Sequence, residues 1–155
     1  DLSFFCKEIQ KFKRNFDYNE DFIIEKYISG KELTVSVLEN ESRIKPLEVT
    51  EIVSLNQTYD YQAKYTKGFS KHYIPARISK KNYNKCLNLA FKIHKIFKCK
   101  TLSRVDFILD SKQNKIYFLE INSQPGMTKI SLLPEQASYQ KIKFESIISK
   151  LIDNV

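Results

Sequence analysis

Apolar residues recur along this chain with two different periods, and the changes of period mark out its elements. Near the start, Phe5, Ile9, Phe12 and Phe16 carry helical spacing, which predicts a helix from about Phe4 to Phe16. A polar stretch, Asp17-Tyr18-Asn19-Glu20-Asp21, separates it from Phe22–Ile28, a run that reads as a buried strand closed by Ser29-Gly30. Leu33, Val35 and Val37 then alternate with Glu32, Thr34 and Ser36, the pattern of a half-buried strand, with a turn near Glu39-Asn40-Glu41. Another strand is predicted over Leu47–Val53. From Leu55 to Lys71 the chain is polar and tyrosine-rich, the composition of a long loop. Asn82–Lys98 is the clearest helix: Cys86, Leu89, Ala90, Ile93 and Phe97 form one stripe that faces a sheet. His94 lies one step off that stripe and reads as a surface or partly packed residue. Two strands, Ser103–Leu109 and Ile116–Ile121, flank a turn-like segment, and Asn122–Gly126 is irregular. A last helix covers Phe144–Ile152, with Ile147, Ile148 and Leu151 inward. The order predicts an α+β domain, helices packed on a largely antiparallel sheet.

Composition narrows the classes. The 155 residues are 42% hydrophobic and include 11 Phe and 9 Tyr, enough for a packed core. No apolar run is long enough to span a bilayer, and the first residues carry no secretory signal, so the expectation is an intracellular protein without membrane attachment. The chain opens on Asp1 and its single Met is Met127, as expected for part of a longer protein. A formal net charge of +8 raises nucleic acid as a partner, but the lysines are scattered and no nucleic-acid motif accompanies them. Cys6, Cys86 and Cys99 form no zinc pattern with His72 and His94, and read as reduced thiols.

The hairpin after residue 102 holds the densest chemistry. A period of two places Arg104 and Asp106 on the face opposite Val105, Phe107 and Leu109, while Glu120 and Asn122 share a face of the next strand. A five-residue loop, Ser111–Lys115, sets Asp106 opposite Glu120 and Arg104 opposite Asn122. Facing carboxylates repel, so positive charge belongs between them. Two sources are open: a hard divalent cation on Asp106, Glu120 and the Asn122 amide oxygen, or Arg104 neutralising both acids on an open sheet.

Five ordered segments resemble the D-alanine:D-alanine ligases. They are Glu25-Lys26-Tyr27-Ile28-Ser29-Gly30-Lys31-Glu32-Leu33-Thr34-Val35, Tyr59-Asp60-Tyr61-Gln62-Ala63-Lys64-Tyr65, Ser103-Arg104-Val105-Asp106-Phe107, Leu119–Thr128 and Ser131-Leu132-Leu133-Pro134. The resemblance runs from about Phe22 to the C-terminus. It implies the C-terminal ATP-grasp domain at residues 31–155, with residues 1–30 a remnant of the central subdomain. It implies ATP as co-substrate and two magnesium (or manganese) ions. Backbone at Lys26 and Ile28, within Glu25-Lys26-Tyr27-Ile28, would hold the adenine, and Glu32 the ribose. Lys64 would meet the terminal phosphate, with Tyr65 closing the loop. Asp106, Glu120 and Asn122 would ligate the metals, Arg104 and the Gly126 amide would stabilise anionic oxygen, and Ser131 and Leu132 would hold the acceptor carboxylate. The implied activity is cytoplasmic synthesis of D-alanyl-D-alanine for peptidoglycan, with D-alanine as substrate and an acyl phosphate as intermediate. The family commonly forms homodimers. Where it has a small residue followed by Leu or Ser before Pro-Gly, this chain has Ser123-Gln124. The Tyr-Asp-Tyr loop resembles that of relatives with an amine acceptor rather than D-lactate. The first-substrate domain and the phosphate-covering loop have no counterpart here, so the chain alone is expected to be inactive. Two alternatives are another ATP-grasp carboxylate-amine ligase and a non-catalytic remnant of a split gene.

Overall fold

The structure, a computed structural model, describes residues 25–40, 43–54, 70–128 and 130–153. The helix expected over Phe4–Phe16, Phe22–Ile24 of the first expected strand, most of the 55–71 loop and Cys6 lie outside the described residues. Five strands are present: β1 (Lys31–Asn40), β2 (Arg43–Ser54), β3 (Ser70–Tyr73), β4 (Leu102–Asp110) and β5 (Lys115–Asn122). They form one antiparallel sheet in the order β3-β2-β1-β4-β5. Three helices complete the α+β fold: α1 (Lys80–Ile96), α2 (Leu132–Tyr139) and α3 (Phe144–Asp153).

The alternation of β1 decides the layering. Leu33, Val35 and Val37 point to one face and pack with Val49, Val105, Phe107 and Leu109 beneath Cys86 and Ala90 of α1. On the opposite face Leu38, Leu47 and Leu102 pack with Leu133 and Ala137 of α2 and Ile147 of α3. Leu47 and Val49 have the same parity yet serve opposite cores. The reason is a β-bulge: Val35 pairs with Val49 but Val37 pairs with Pro46, so Leu47 and Glu48 together oppose Ser36. Side chains satisfy the backbone groups there. Gln136 Oε1 accepts from Ser36 N at 2.8 Å, Gln140 Nε2 donates to the Leu47 carbonyl at 2.6 Å, and Val49 N donates to the Tyr83 hydroxyl at 3.1 Å.

Helix α1 starts where Ser79 Oγ accepts from Asn82 N at 3.3 Å. Its most buried residues are Asn82, Cys86, Ala90 and His94, so the sheet-facing stripe is turned from the one the apolar pattern marks. Phe97 is 56% exposed, and His94 is fully buried rather than at the surface. Small Cys86 and Ala90 let the helix approach, and His94 finds polar partners: Ser103 Oγ 2.8 Å from Nδ1 and Glu39 Oε2 3.6 Å from Nε2. Burial pushes its pKa below the ordinary histidine value, an effect that Glu39 opposes in part. Burial likewise pushes the Cys86 thiol up to about 11, so it stays protonated.

Two further expectations change, and one helix had not been expected. Glu25–Ser29 has no regular secondary structure and Tyr27 is 87% exposed, so the expected strand does not reach this stretch. β3 is a short strand where loop was expected at Ser70 and Lys71; four residues give too little alternation to read. Helix α2 has no continuous apolar stripe because Gln136 sits in its buried face.

Two contacts fix the end of the sheet where β1 begins. Glu51, 3% exposed, accepts from Arg77 N, Nε and Nη2 and from Lys31 Nζ at 2.9–3.0 Å. Arg77 also lies 3.4 Å above the Tyr73 ring centroid. These partners hold the Glu51 carboxyl at about 2 instead of the ordinary 4.5. Between those values the unfolded chain binds the proton and the folded chain does not, so the contribution is complete above pH 4.5 and is lost as pH falls through about 2. The shift corresponds to about 3 kcal/mol at neutral pH. Urea unfolding of Glu51→Gln is expected to show a deficit of about that size at pH 7, shrinking steadily below pH 4. Nearby, a Cβ on Gly30 would stand 2.2 Å from the Leu109 carbonyl oxygen and 2.7 Å from its carbon. Gly30→Ala must displace β4 backbone, and thermal unfolding is expected to record a loss of about 2 kcal/mol or more.

Candidate functional site

Across the face opposite α1, the registers align one polar row over four strands. Thr50 of β2 pairs with Thr34 of β1, Thr34 with Asp106 of β4, and Asp106 with Glu120 of β5. The neighbouring row runs Ser36–Arg104–Asn122. Asp106 therefore faces Glu120 and Arg104 faces Asn122, as the hairpin pattern predicts, although by a different route. The turn holds four residues, Ser111–Asn114, and Asp110 pairs with Lys115. Asp110 Oδ1 accepts from Lys112 N and Gln113 N, and Asn114 closes the turn at φ 53°.

From that turn, strict alternation would send Ile116, Phe118 and Glu120 to the α1 side. A bulge prevents this. Phe107 pairs with Phe118 but Asp106 pairs with Glu120, leaving Leu119 without an opposite number. Ile121 then packs toward the α1 core and Glu120 turns to the open face. Nothing in the apolar pattern announces this bulge; its only trace is four apolar residues in succession, Ile116-Tyr117-Phe118-Leu119.

Arg104 supplies the positive charge between the facing acids. Its Nη2 lies 2.8 Å from Asp106 Oδ2 and 3.6 Å from Glu120 Oε1, and its Nε lies 3.0 Å from Asp106 Oδ1. Thr34 Oγ1 donates to the same Asp106 Oδ1 at 2.6 Å. Arg104 and Asp106 are each 18% exposed, whereas Glu120 is 58% exposed. The described residues thus show the second of the two charge arrangements open to the sequence.

The donor set remains suited to a hard cation. Asp106, Glu120 and the Asn122 amide offer oxygen only, and the Asn122 oxygen, which accepts from Gln124 N at 2.8 Å, keeps a second lone pair. No cluster of three His, Cys, Asp or Glu residues arranged for a metal occurs among the described residues. Magnesium ordinarily takes one or two carboxylates and completes its shell with phosphate oxygens and water. For a cation to reach Asp106, Arg104 must give up part of its two-pronged contact.

β5 leads into an irregular segment and then α2. Ser131 Oγ accepts from Thr128 N at 3.0 Å and lies 2.8 Å from Thr128 Oγ1, so it is drawn back over the preceding turn instead of capping its own helix. The Gly126 position lies against it: a Cβ there would come within 2.8 Å of Ser131 Oγ. Gly126, Ser131 and the first residue of α2, Leu132, are therefore neighbours at a helix start, where the N–H groups of Leu132 and Leu133 have no partner within the helix. Glu32 lies on the same face as Thr34, two residues nearer the start of β1. It lines an open depression with Gly30, Lys31, Glu51, Ile52 and Val53, directly after the exposed Glu25, Lys26 and Tyr27 and the partly covered Ile28. Lys64 and Tyr65 lie outside the described residues. Two residues of this face were not singled out by sequence, Thr34 and Gln136; both are polar and fully buried, and only packing reveals them.

A family model described as D-ala D-ala ligase C-terminus matches residues 6–153. The D-alanine–D-alanine ligase of Rickettsia typhi is 47% identical over 139 residues, covering 89% of this chain and 42% of that protein. The corresponding ligase of Carboxydothermus hydrogenoformans is 41% identical over 140 residues, covering 90% of this chain and 45% of that protein. The chain thus spans less than half the length of these curated relatives. Among solved structures, D-alanine–D-alanine ligase from Bacillus anthracis complexed with ATP superposes with a TM-score of 0.71 at 26% identity, over 96% of this chain and 47% of that one. The VanG D-Ala:D-Ser ligase from Enterococcus faecalis gives 0.65 at 30% identity, over 83% and 37%. Fold, register and sequence together place this chain in the D-alanine–D-alanine ligase family, in its C-terminal portion.

Proposed function

We propose that this chain supplies the nucleotide, metal and acceptor side of an ATP-dependent D-alanine–D-alanine ligase acting in the cytoplasm. The observation that carries the reading is the row in which Asp106 and Glu120 face each other beside Arg104. The reaction moves the γ-phosphoryl of ATP to the carboxylate of one D-alanine, giving ADP and an acyl phosphate. The amine of the second D-alanine then attacks that carbonyl, forming the peptide bond and releasing phosphate and a proton. Such transfers depend on charge neutralisation and alignment more than on covalent help from protein.

Each residue has a part in that scheme. Asp106, Glu120 and Asn122 hold magnesium, which when bound neutralises the phosphate oxygens. Arg104, released in part from Asp106, faces the oxygen on which charge gathers, with the Gly126 amide as a second donor. Ser131 and the backbone of Leu132 receive the acceptor carboxylate at the start of α2, where the helix dipole favours an anion. Glu25-Lys26-Tyr27-Ile28 lies along the base and Glu32 binds the ribose. Lys64 meets the terminal phosphate and Tyr65 helps to close the loop, which excludes water from the acyl phosphate. The first-substrate site comes from the part of the relatives that this chain does not span, and the family habit of pairing makes a homodimer the expected assembly.

The test uses a chimera in which this chain replaces the matching segment of the Rickettsia typhi ligase. Given ATP, magnesium and D-alanine, it is expected to release phosphate and D-alanyl-D-alanine in equal amounts; D-serine offered as acceptor checks specificity. ATP-dependent dipeptide absent from a folded chimera refutes the ligase reading. Arg104→Met in that chimera is expected to lower kcat by about 100-fold or more and, because it leaves the facing acids unneutralised, to lower the melting temperature without ligand as well. The 155-residue chain alone is expected to show no dipeptide formation, measured by the same phosphate and product assays.

A further inference from the structure

Resting on the metal reading above, we infer that Thr34 is a positioning residue for Asp106, set in place by Gln136 of α2. Thr34 is fully buried, and its hydroxyl donates to Asp106 Oδ1 at 2.6 Å. A hydroxyl has one proton, so this donation is committed to a single carboxylate oxygen. It pins the rotation of Asp106 about its terminal bond, which is otherwise broad and soft. Arg104 holds the same carboxylate from the other side. When Arg104 turns toward phosphate or oxyanion, Thr34 is the protein contact that keeps Asp106 aimed along the row toward Glu120.

Thr34 is itself held. Its carbonyl accepts from Gln136 Nε2 at 3.2 Å, and the same nitrogen donates to Thr50 Oγ1 at 2.8 Å. Gln136 Oε1 accepts from Ser36 N, the residue opposite the β2 bulge. The fully buried Gln136 amide therefore uses both of its ends on β1 and β2. Helix α2 begins at Leu132, beside Ser131, so the helix that presents the acceptor end also braces the strand that orients Asp106. Groups that orient a ligating carboxylate ordinarily change metal affinity 10- to 100-fold when removed.

The experiment titrates Mn2+ with ATP into the chimera, read by the electron paramagnetic resonance signal of free Mn2+. Thr34→Val keeps the shape and removes the hydroxyl; Thr34→Ser keeps the hydroxyl. Thr34→Val is expected to weaken Mn2+ binding on the order of 10-fold, and Thr34→Ser to restore the parental value. The KM for ATP is expected to rise in Thr34→Val more than the KM for D-alanine, a split that general loosening of the core does not produce. Asp106→Asn serves as reference. If Asp106→Asn loses the ion while Thr34→Val binds it as the parent does, the positioning role is overturned and the metal reading stands. If Thr34→Ser is impaired as much as Thr34→Val, the residue acts by packing and the inference is wrong. If Asp106→Asn binds as the parent does, the metal reading falls and the positioning role falls with it.

Discussion

Asp106 and Glu120 stand opposite each other on neighbouring strands, an arrangement that is unfavourable unless positive charge lies between them. Arg104 provides that charge from two residues away on the same face, and much of this domain is arranged around the three groups. A neutralised pair of acids on an open sheet face is a poised site. The guanidinium keeps the carboxylates from repelling, and in the proposed ligase it would yield to the phosphates and cation of a nucleotide. One geometry thus accounts for the stability of the facing acids and would serve the proposed recognition.

Two bulges create that geometry. In β5 the extra residue Leu119 reverses the alternation, so Ile121 enters the core and Glu120 faces Asp106. In β2 the extra residue sends Leu47 and Val49 to opposite faces and leaves the Ser36 amide to be satisfied by Gln136. Each bulge disturbs a ladder, and in β2 side chains meet the backbone groups left over. In β2 those side chains come from both helical layers, Tyr83 from α1, Gln136 from α2 and Gln140 just beyond α2. The helices are therefore more than covers for an apolar sheet; they complete its hydrogen bonding where the site requires an irregular strand.

Much of the fold was legible beforehand because β1, α1 and the β4–β5 hairpin are long enough for their periods to show. The buried stripe of α1 was read one position off, because a histidine with polar partners stands in place of an apolar residue at its C-terminal end. Helix α2 escaped notice for a related reason: Gln136 occupies a core position by hydrogen bonding rather than by hydrophobicity. The pairing of Asp106 with Glu120 was anticipated from a five-residue loop, whereas the molecule reaches it with a four-residue turn and a bulge. The two errors of register cancel.

By itself, then, the sequence determined the α+β class, the family and the residue types that gather on one sheet face, because hydrophobic period and ordered motifs are local properties of the chain. The tertiary structure decided that a bulge brings the carboxylates opposite each other, that Arg104 lies between them, and that Thr34 and Gln136 are bonded beside them. Bulges, buried hydrogen bonds and the facing of a helix depend on what the rest of the chain places nearby. No periodicity along one strand contains that information.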